Sequence, residues 1–263
     1  MTVAELKAGE PPRPDGYDNV IGPRARFGVI APSTNTTVEA DLWAIRPEGV
    51  SFHTGRMYIP SPVIRSNEDF EGLIGQIRES IGTAVRDVMT CFPTHMLMGM
   101  SAETFWGGVA GNQAFIDRIE QRTGLGVSTG ASSCRAALEH FGATRIAAFS
   151  PYQPIADDQV RTYFTEAGLD VKTVTGLRCP SATAIAEVGR DVIAETVAAI
   201  DSDEVDAIVQ VGTNLSFVAQ AAELEKALGK PVIAINVATL WHALRANRID
   251  DRIAGFGRLL EEF

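Results

Sequence analysis

Met96-Leu97-Met98-Gly99-Met100-Ser101-Ala102-Glu103-Thr104-Phe105-Trp106-Gly107-Gly108 decides how the chain is organised. Its apolar start, with His95, reads as a buried strand. The strand breaks at Gly99 and runs through Met100-Ser101-Ala102-Glu103 into a helical pattern continuing to about Thr123. A strand that stops at a glycine and hands over to a helix brings several backbone N–H groups to one point, and unpaired first-turn amides and the helix dipole favour an anion there. The device recurs. Phe27 to Ala31 ends in Pro32-Ser33-Thr34-Asn35, Ile146 to Phe149 in Ser150-Pro151-Tyr152, and Ala207 to Val211 in Gly212-Thr213-Asn214-Leu215. The four strand ends are expected to surround one small anionic substrate.

Outward from this stretch the alternation continues. Strands are expected at Arg26–Ala31, Val50–Ile59, His95–Gly99, Gly124–Ser128, Arg145–Ser150, Asp170–Gly176, Asp206–Val211 and Lys230–Ile235. Helices are expected at Thr34–Ile45, from Ser66 onward with Leu73, Ile77, Ile81, Val85 and Val88 buried, from Thr129 to Phe141, and at Ala156–Ala167. Others follow at Ser181–Ile200, burying Ile185, Val188, Val192 and Ile200, at Leu215–Leu228, and at Val237–Asn247. Short apolar strands alternating with helices indicate an α/β chain of two similar parallel-sheet, flavodoxin-like halves. Ligands of such sheets bind beyond the carboxyl ends of the strands, which places the site in the cleft between the halves. Residues 1–24, with Pro11, Pro12, Pro14, Gly16, Gly22 and Pro23, read as an irregular N-terminal arm.

The bulk numbers narrow the partners. The 263 residues carry a net charge of −10, with 45% hydrophobic and 21% charged residues, which argues against nucleic acid or an anionic membrane. An anionic small molecule stays compatible, because amide donors need no net positive charge. No apolar run approaches the roughly eighteen residues of a membrane span, and a signal-peptide core is lacking. Three widely spaced cysteines, Cys91, Cys134 and Cys179, suggest free thiols and a cytoplasmic setting. No CxxC or HExxH pattern is present, so no metal site is expected.

Pro32-Ser33-Thr34-Asn35-Thr36, Gly99-Met100-Ser101, Pro151-Tyr152, Gly212-Thr213-Asn214-Leu215, Gly229-Lys230-Pro231-Val232, Asn236 and Leu240-Trp241 together resemble the aspartate/glutamate racemase superfamily, in its maleate isomerase and arylmalonate decarboxylase branch. The resemblance implies two pseudo-symmetric domains that exchange their last elements, residues 1–128 with 237–263 and residues 129–236. It implies cofactor-free chemistry on a small carboxylic acid, and a homo-oligomer. It also aligns the two family cysteines with Gly99 and Gly212, so the two-thiol mechanism is physically unavailable here. Ser33, Asn35, Gly99, Met100, Gly212, Thr213 and Asn214 are the expected substrate-binding residues, and Ser101, Tyr152 and Glu103 the expected catalytic ones. Hydroxyls, a carboxamide and backbone amides donate to negative charge without titrating near neutral pH.

Each assignment has a competing reading. Ser33, Ser101 and Asn214 could simply cap helices. Ser101 could be a nucleophile if a base reaches it. Glu103 is either a general acid or base tuned by burial or a first-turn acid favoured by the dipole. Cys134 near a helix start is either activated or packed. Arg56 and Tyr58 could close over a second carboxylate. The leading function is therefore a decarboxylase- or isomerase-like enzyme, with a hydrolase using Ser101 or an activated water, or a non-catalytic small-acid binder, as alternatives.

Overall fold

The computed structural model describes residues 19–263; most of the irregular arm expected at 1–24 lies outside the described residues. In the part described, the Asn19 side chain accepts from the N–H groups of Ile21 and Gly22, and Arg24 pairs with Asp251 at 2.6 Å.

Two four-stranded parallel sheets form the frame. The first contains β1 (Ala25–Pro32), β2 (Val50–Met57), β3 (His95–Met98) and β4 (Val127–Ser128), in the order β2-β1-β3-β4. The second contains β5 (Arg145–Ser150), β6 (Asp170–Gly176), β7 (Ala207–Gln210) and β8 (Val232–Ala234), in the matching order β6-β5-β7-β8. β1 runs in unbroken register with β2 from Ala25 opposite Val50 to Pro32 opposite Met57, and pairs with β3 through Phe27 opposite His95. In each sheet the winding direction reverses between the two central strands, β1 and β3 or β5 and β7. Such switch points are where open α/β sheets leave a crevice beyond the carboxyl ends.

The helices are α1 (Val38–Ile45), α2 (Asn67–Met89), α3 (Ala102–Phe105), α4 (Gly108–Thr123), α5 (Gly130–Phe141), α6 (Pro154–Glu166), α7 (Arg190–Ile200), α8 (Val218–Leu228), α9 (Ile235–Ala246) and α10 (Arg258–Glu262). α2 starts where its sequence demands: the Ser66 hydroxyl accepts from the Asp69 N–H at 3.1 Å. Its buried face carries Leu73, Ile77, Ile81, Val85 and Val88. α9 packs on α5, α1, β3 and β4, so the end of the second sheet's run returns to the first.

Three expected helices are shorter or broken, each for a local reason. The run from Gly99 to Thr123 divides at Gly107 and Gly108, whose φ angles of 80° and 65° are left-handed; α3 is thus a single turn. The run Ser181–Ile200 divides at Val188-Gly189 into a 3₁₀ turn at Ala184–Glu187 and α7. The break shifts the helical phase by one residue: Ile193, Val197 and Ile200 are buried, and Val192 is 48% exposed rather than buried. Thr34 to Thr37 is a turn, not helix, because the Asn35 carboxamide oxygen accepts from the N–H groups of Thr37 and Val38, both at 3.0 Å.

Candidate functional site: a donor-lined cavity between the two sheets

The four strand-end turns meet. Pro32 at the end of β1 with Thr34 and Asn35 beyond it, Met100 and Ser101 after β3, Tyr152 after β5, and Gly212, Thr213 and Asn214 after β7 line one cavity of about 60 Å³. Leu73 and Ile77 of α2, with Ala182 and Ile185, give it an apolar wall. No Asp, Glu, Lys, Arg, His or Cys lines it among the described residues. Polarity in this cavity therefore comes from hydroxyls, carboxamides and backbone.

Hydrogen bonds across the cleft hold the turns together. The Asn35 Nδ2 donates to Thr213 Oγ1 at 3.1 Å and to the Gly99 carbonyl at 3.4 Å. Thr213 Oγ1 also donates to the Gly99 carbonyl, at 3.0 Å. Asn214 accepts from the Thr36 N–H at 2.9 Å and donates to the Ala182 carbonyl at 2.9 Å. Each of these side chains is buried, where an unpaired amide would be costly.

Ser101 Oγ and Tyr152 Oη form a buried hydroxyl pair at 2.5 Å, and Ser101 Oγ accepts from the Thr213 N–H at 3.3 Å. Whichever hydroxyl donates within the pair, the other keeps one O–H for a ligand. Burial pushes the Tyr152 phenol above its ordinary value, against a smaller opposing effect of the Ser101 bond. It is therefore a neutral donor at physiological pH. The backbone of Tyr152 is pinned at both ends. Its N–H donates to Ser150 Oγ at 3.0 Å, and its carbonyl accepts from Arg178 Nη1 at 2.7 Å. Ser150 Oγ and Arg178 both donate to the buried Asp157 carboxylate. The Phe70 ring meets the Tyr152 ring edge-on at 5.2 Å.

The backbone N–H groups of Met100, Ser101 and Asn214 make no hydrogen bond to another described residue, although these residues are only 2%, 3% and 6% exposed. Buried N–H groups are nearly always paired. Three free ones around one cavity leave room for an acceptor. The helix-dipole part of the sequence expectation is corrected: α3 is one turn long, α8 begins three residues beyond Leu215, and at the start of α1 the N–H groups of Thr37 and Val38 are taken by Asn35. Donors here are individual N–H and O–H groups.

Two residues expected in the site stand elsewhere. Ser33 is exposed, and its hydroxyl accepts from the Ile59 N–H at 3.0 Å, tying the turn to the chain after β2. Glu103 points its buried carboxylate away from the cavity to Arg78, whose Nε donates to both oxygens at 2.9 and 3.0 Å. Arg56 does not close over the cavity; its Nη1 holds the carbonyls of Pro32 and Asn35 at 3.1 and 2.6 Å, while Tyr58 is 70% exposed. Cys134 is fully buried, and burial raises its thiol well above the ordinary range. Cys179 is likewise pushed up to about 11 by burial. None of the three cysteines lines the cavity.

The two glycines differ sterically. At Gly99 an added Cβ would lie 3.1 Å from the Ile30 carbonyl oxygen and from Val29 Cγ1. At Gly212, with φ of 117°, it would lie 2.5 Å from Pro151 Cδ, closer than real Cβ atoms come. Sequence reasoning missed Asp157 and Arg178, and also Gln210, whose Nε2 donates to the Gly212 carbonyl at 2.7 Å. Asp157 did carry a signal, an acid on a helix face that otherwise buries Ala156, Val160 and Phe164.

Fold and cavity together define the class, a two-sheet α/β protein with its cavity at the facing strand ends of both halves. Residues 27–260 match the family model described as arylmalonate decarboxylase. The chain belongs to the arylmalonate decarboxylase family, an enzyme family whose named relatives are isomerases and a decarboxylase. Among relatives, a maleate isomerase of Pseudomonas putida is 28% identical over 250 residues, covering 89% of this chain and 96% of that one. An arylmalonate decarboxylase of Bordetella bronchiseptica is 29% identical over 245 residues, covering 90% and 96%. In three dimensions the fold matches a cysteine variant of Pseudomonas putida maleate isomerase solved with maleate, with a TM-score of 0.82 at 23% identity over 90% of this chain and 97% of that one. It also matches a Nocardia farcinica maleate isomerase variant carrying a covalent succinylcysteine intermediate, with a TM-score of 0.81 at 22% identity over 91% and 99%.

Proposed function

We propose that the protein is a cofactor-independent enzyme that decarboxylates a small dicarboxylic acid through an enediolate held by the cavity's donors. The observation that carries this reading is the wall chemistry: free amides and a hydroxyl pair on one side, Leu73, Ile77 and Ile185 on the other, and no ionised group between. One carboxylate of the substrate accepts from the donor side. The second, against the apolar wall, is poorly solvated there, and loss of neutral CO₂ relieves that cost. The electron pair of the broken C–C bond passes into the retained carboxylate as an enediolate, where the donors strengthen their hold. Carbon then takes a proton from the Tyr152–Ser101 pair, and the pair regains one from solvent, so each turnover consumes one proton.

Isomerisation by thiol addition has no nucleophile in this cavity, because Gly99 and Gly212 occupy the positions where the family resemblance puts cysteines. A hydrolase using Ser101 is disfavoured because its hydroxyl partner, Tyr152, is held in the acid form and cannot serve as a base. The division into residues 1–128 with 237–263 and residues 129–236 belongs to the same reading, supported by α9 packing back on the first sheet. So does a cytoplasmic setting, supported by three free thiols, and a homo-oligomer, supported by the resemblance alone.

The test is CO₂ release from a panel of 2-substituted malonates by the wild type, Tyr152→Phe and Ser101→Ala. Each loss of a donor is expected to lower kcat by about 10²–10³. Unchanged turnover in both variants overturns the assignment of the pair. Saturable binding of malonates by the wild type with no turnover overturns the enzyme and favours a small-acid binder.

A further inference from the structure

A second cavity, of about 450 Å³, lies on the far side of the wall that bounds the first. Ile77 lines both, and adjacent residues of α3 divide between them, Ala102 on the inner cavity and Glu103 on this one. The groove runs between α2 and α4. Its rim carries Arg78, Arg118 and Arg122, faced by two carboxylates, Glu79 and Glu103.

The arginines are incompletely used. Arg78 gives its Nε–H to Glu103, and its terminal N–H groups donate to no described residue. Arg118 reaches Glu103 only at 3.8 Å, outside hydrogen-bond range, and donates to no described residue. Arg122 gives one N–H to the Gly82 carbonyl at 2.7 Å. The side chains of Arg78 and Arg118 are 50% and 57% exposed toward solvent. A chain with net charge −10 thus gathers three guanidinium groups on one groove, where they outnumber the carboxylates. Arg118 and Arg122 stand four residues apart on α4, hence on one face of the helix. Guanidinium forks match carboxylates in plane and spacing. Two such forks on neighbouring turns suit two carboxylates on one short chain. A volume within the range of small-molecule sites completes the fit.

We infer that this groove is a second anion site, for a small organic dicarboxylate, held by Arg118 and Arg122 with Arg78 at its edge. Glu103 keeps Arg78 in place and leaves Arg118 to the ligand. This site stands on its own residues and does not depend on the chemistry of the inner cavity.

The experiment is calorimetric titration with succinate, a saturated diacid that offers no bond to the chemistry above. It uses the wild type, Arg118→Gln, Arg118→Gln with Arg122→Gln, and Tyr152→Phe. The expected result is saturable succinate binding that survives Tyr152→Phe unchanged and weakens about tenfold in Arg118→Gln, with a larger loss in the double variant. Thermal denaturation of each variant reports whether it is folded, and the exposed single variant is expected to be. Succinate binding that survives both arginine variants overturns the site, as does its absence from both the wild type and Tyr152→Phe. Failure of the malonate turnover test leaves this result untouched, so the two readings fall separately.

Discussion

At Gly212 the cavity depends on the absence of a side chain. The residue sits at φ of 117°, and any Cβ would overlap Pro151, which starts the turn leading to Tyr152. Gly212→Ala is therefore expected to lose about 2 kcal/mol of stability and to displace Tyr152. Gly99→Ala, whose Cβ meets its nearest neighbours at 3.1 Å, is expected to lose less than about 1 kcal/mol. Urea denaturation of the two variants side by side checks the asymmetry; equal losses would refute it. The contrast also explains why residue types alone were an incomplete guide. That Asn35, Ser101, Tyr152, Thr213 and Asn214 gather at one cavity was legible from their place at the ends of parallel strands. Ser33 has the same hydroxyl chemistry and Glu103 is likewise a polar strand-end residue, and only the direction of their side chains, to the Ile59 N–H and to Arg78, removes them from the cavity.

At the scale of elements, the sequence shows strands well and helix continuity poorly. β5 and β6 match expectation at both ends, because β-branched and apolar runs bounded by polar residues leave little choice. The helices break at Gly107-Gly108 and Val188-Gly189, where apolar spacing continues on both sides and conceals the interruption. β3 and β4 are tied at the ends of their short pairing by a chain that spacing could not reveal: His95 Nε2 to Ser128 Oγ at 2.8 Å, and Ser128 Oγ to His242 Nδ1 at 2.8 Å. Burial, helped by the charge of His242, lowers His95 from 6.5 to about 4. A histidine whose folded value lies below its unfolded one stabilises above the unfolded value and loses that contribution as pH falls. Unfolding free energy should accordingly decline between pH 6.5 and 4, by on the order of 3 kcal/mol from this residue. His95→Gln should flatten the decline in urea titrations at a series of pH values.

Across the whole molecule, the two halves are joined at the cavity itself. Asn236, at the start of α9, donates through Nδ2 to Asp41 Oδ2 at 2.7 Å and to the Thr213 carbonyl at 3.0 Å. Asp41 on α1 thereby reaches a cavity residue of the other sheet through one carboxamide. Burial raises Asp41 to about 6, with the Asn236 bond opposing. A carboxyl raised on folding stabilises most when protonated, so its contribution is full below about pH 4 and is lost as pH rises through 6. Ionisation has the opposite effect on the site, because the charged carboxylate holds Asn236 more strongly. Activity is expected to fall as pH drops through about 6 while this component of stability rises. Asp41→Asn should remove both the inflection in kcat/KM and the matching stability slope; an inflection that persists in the variant assigns it to another group.

The space between the four turns is small, about 60 Å³. Asn35 with Thr213, and Asn214 with Thr36, tie the turns of one sheet to those of the other across it. The donors are thereby held in one arrangement before any ligand arrives. A threonine and two carboxamides thus act as the rivets of the site: cutting either cross-sheet tie is expected to blur the placing of Ser101 and Tyr152 without removing either hydroxyl.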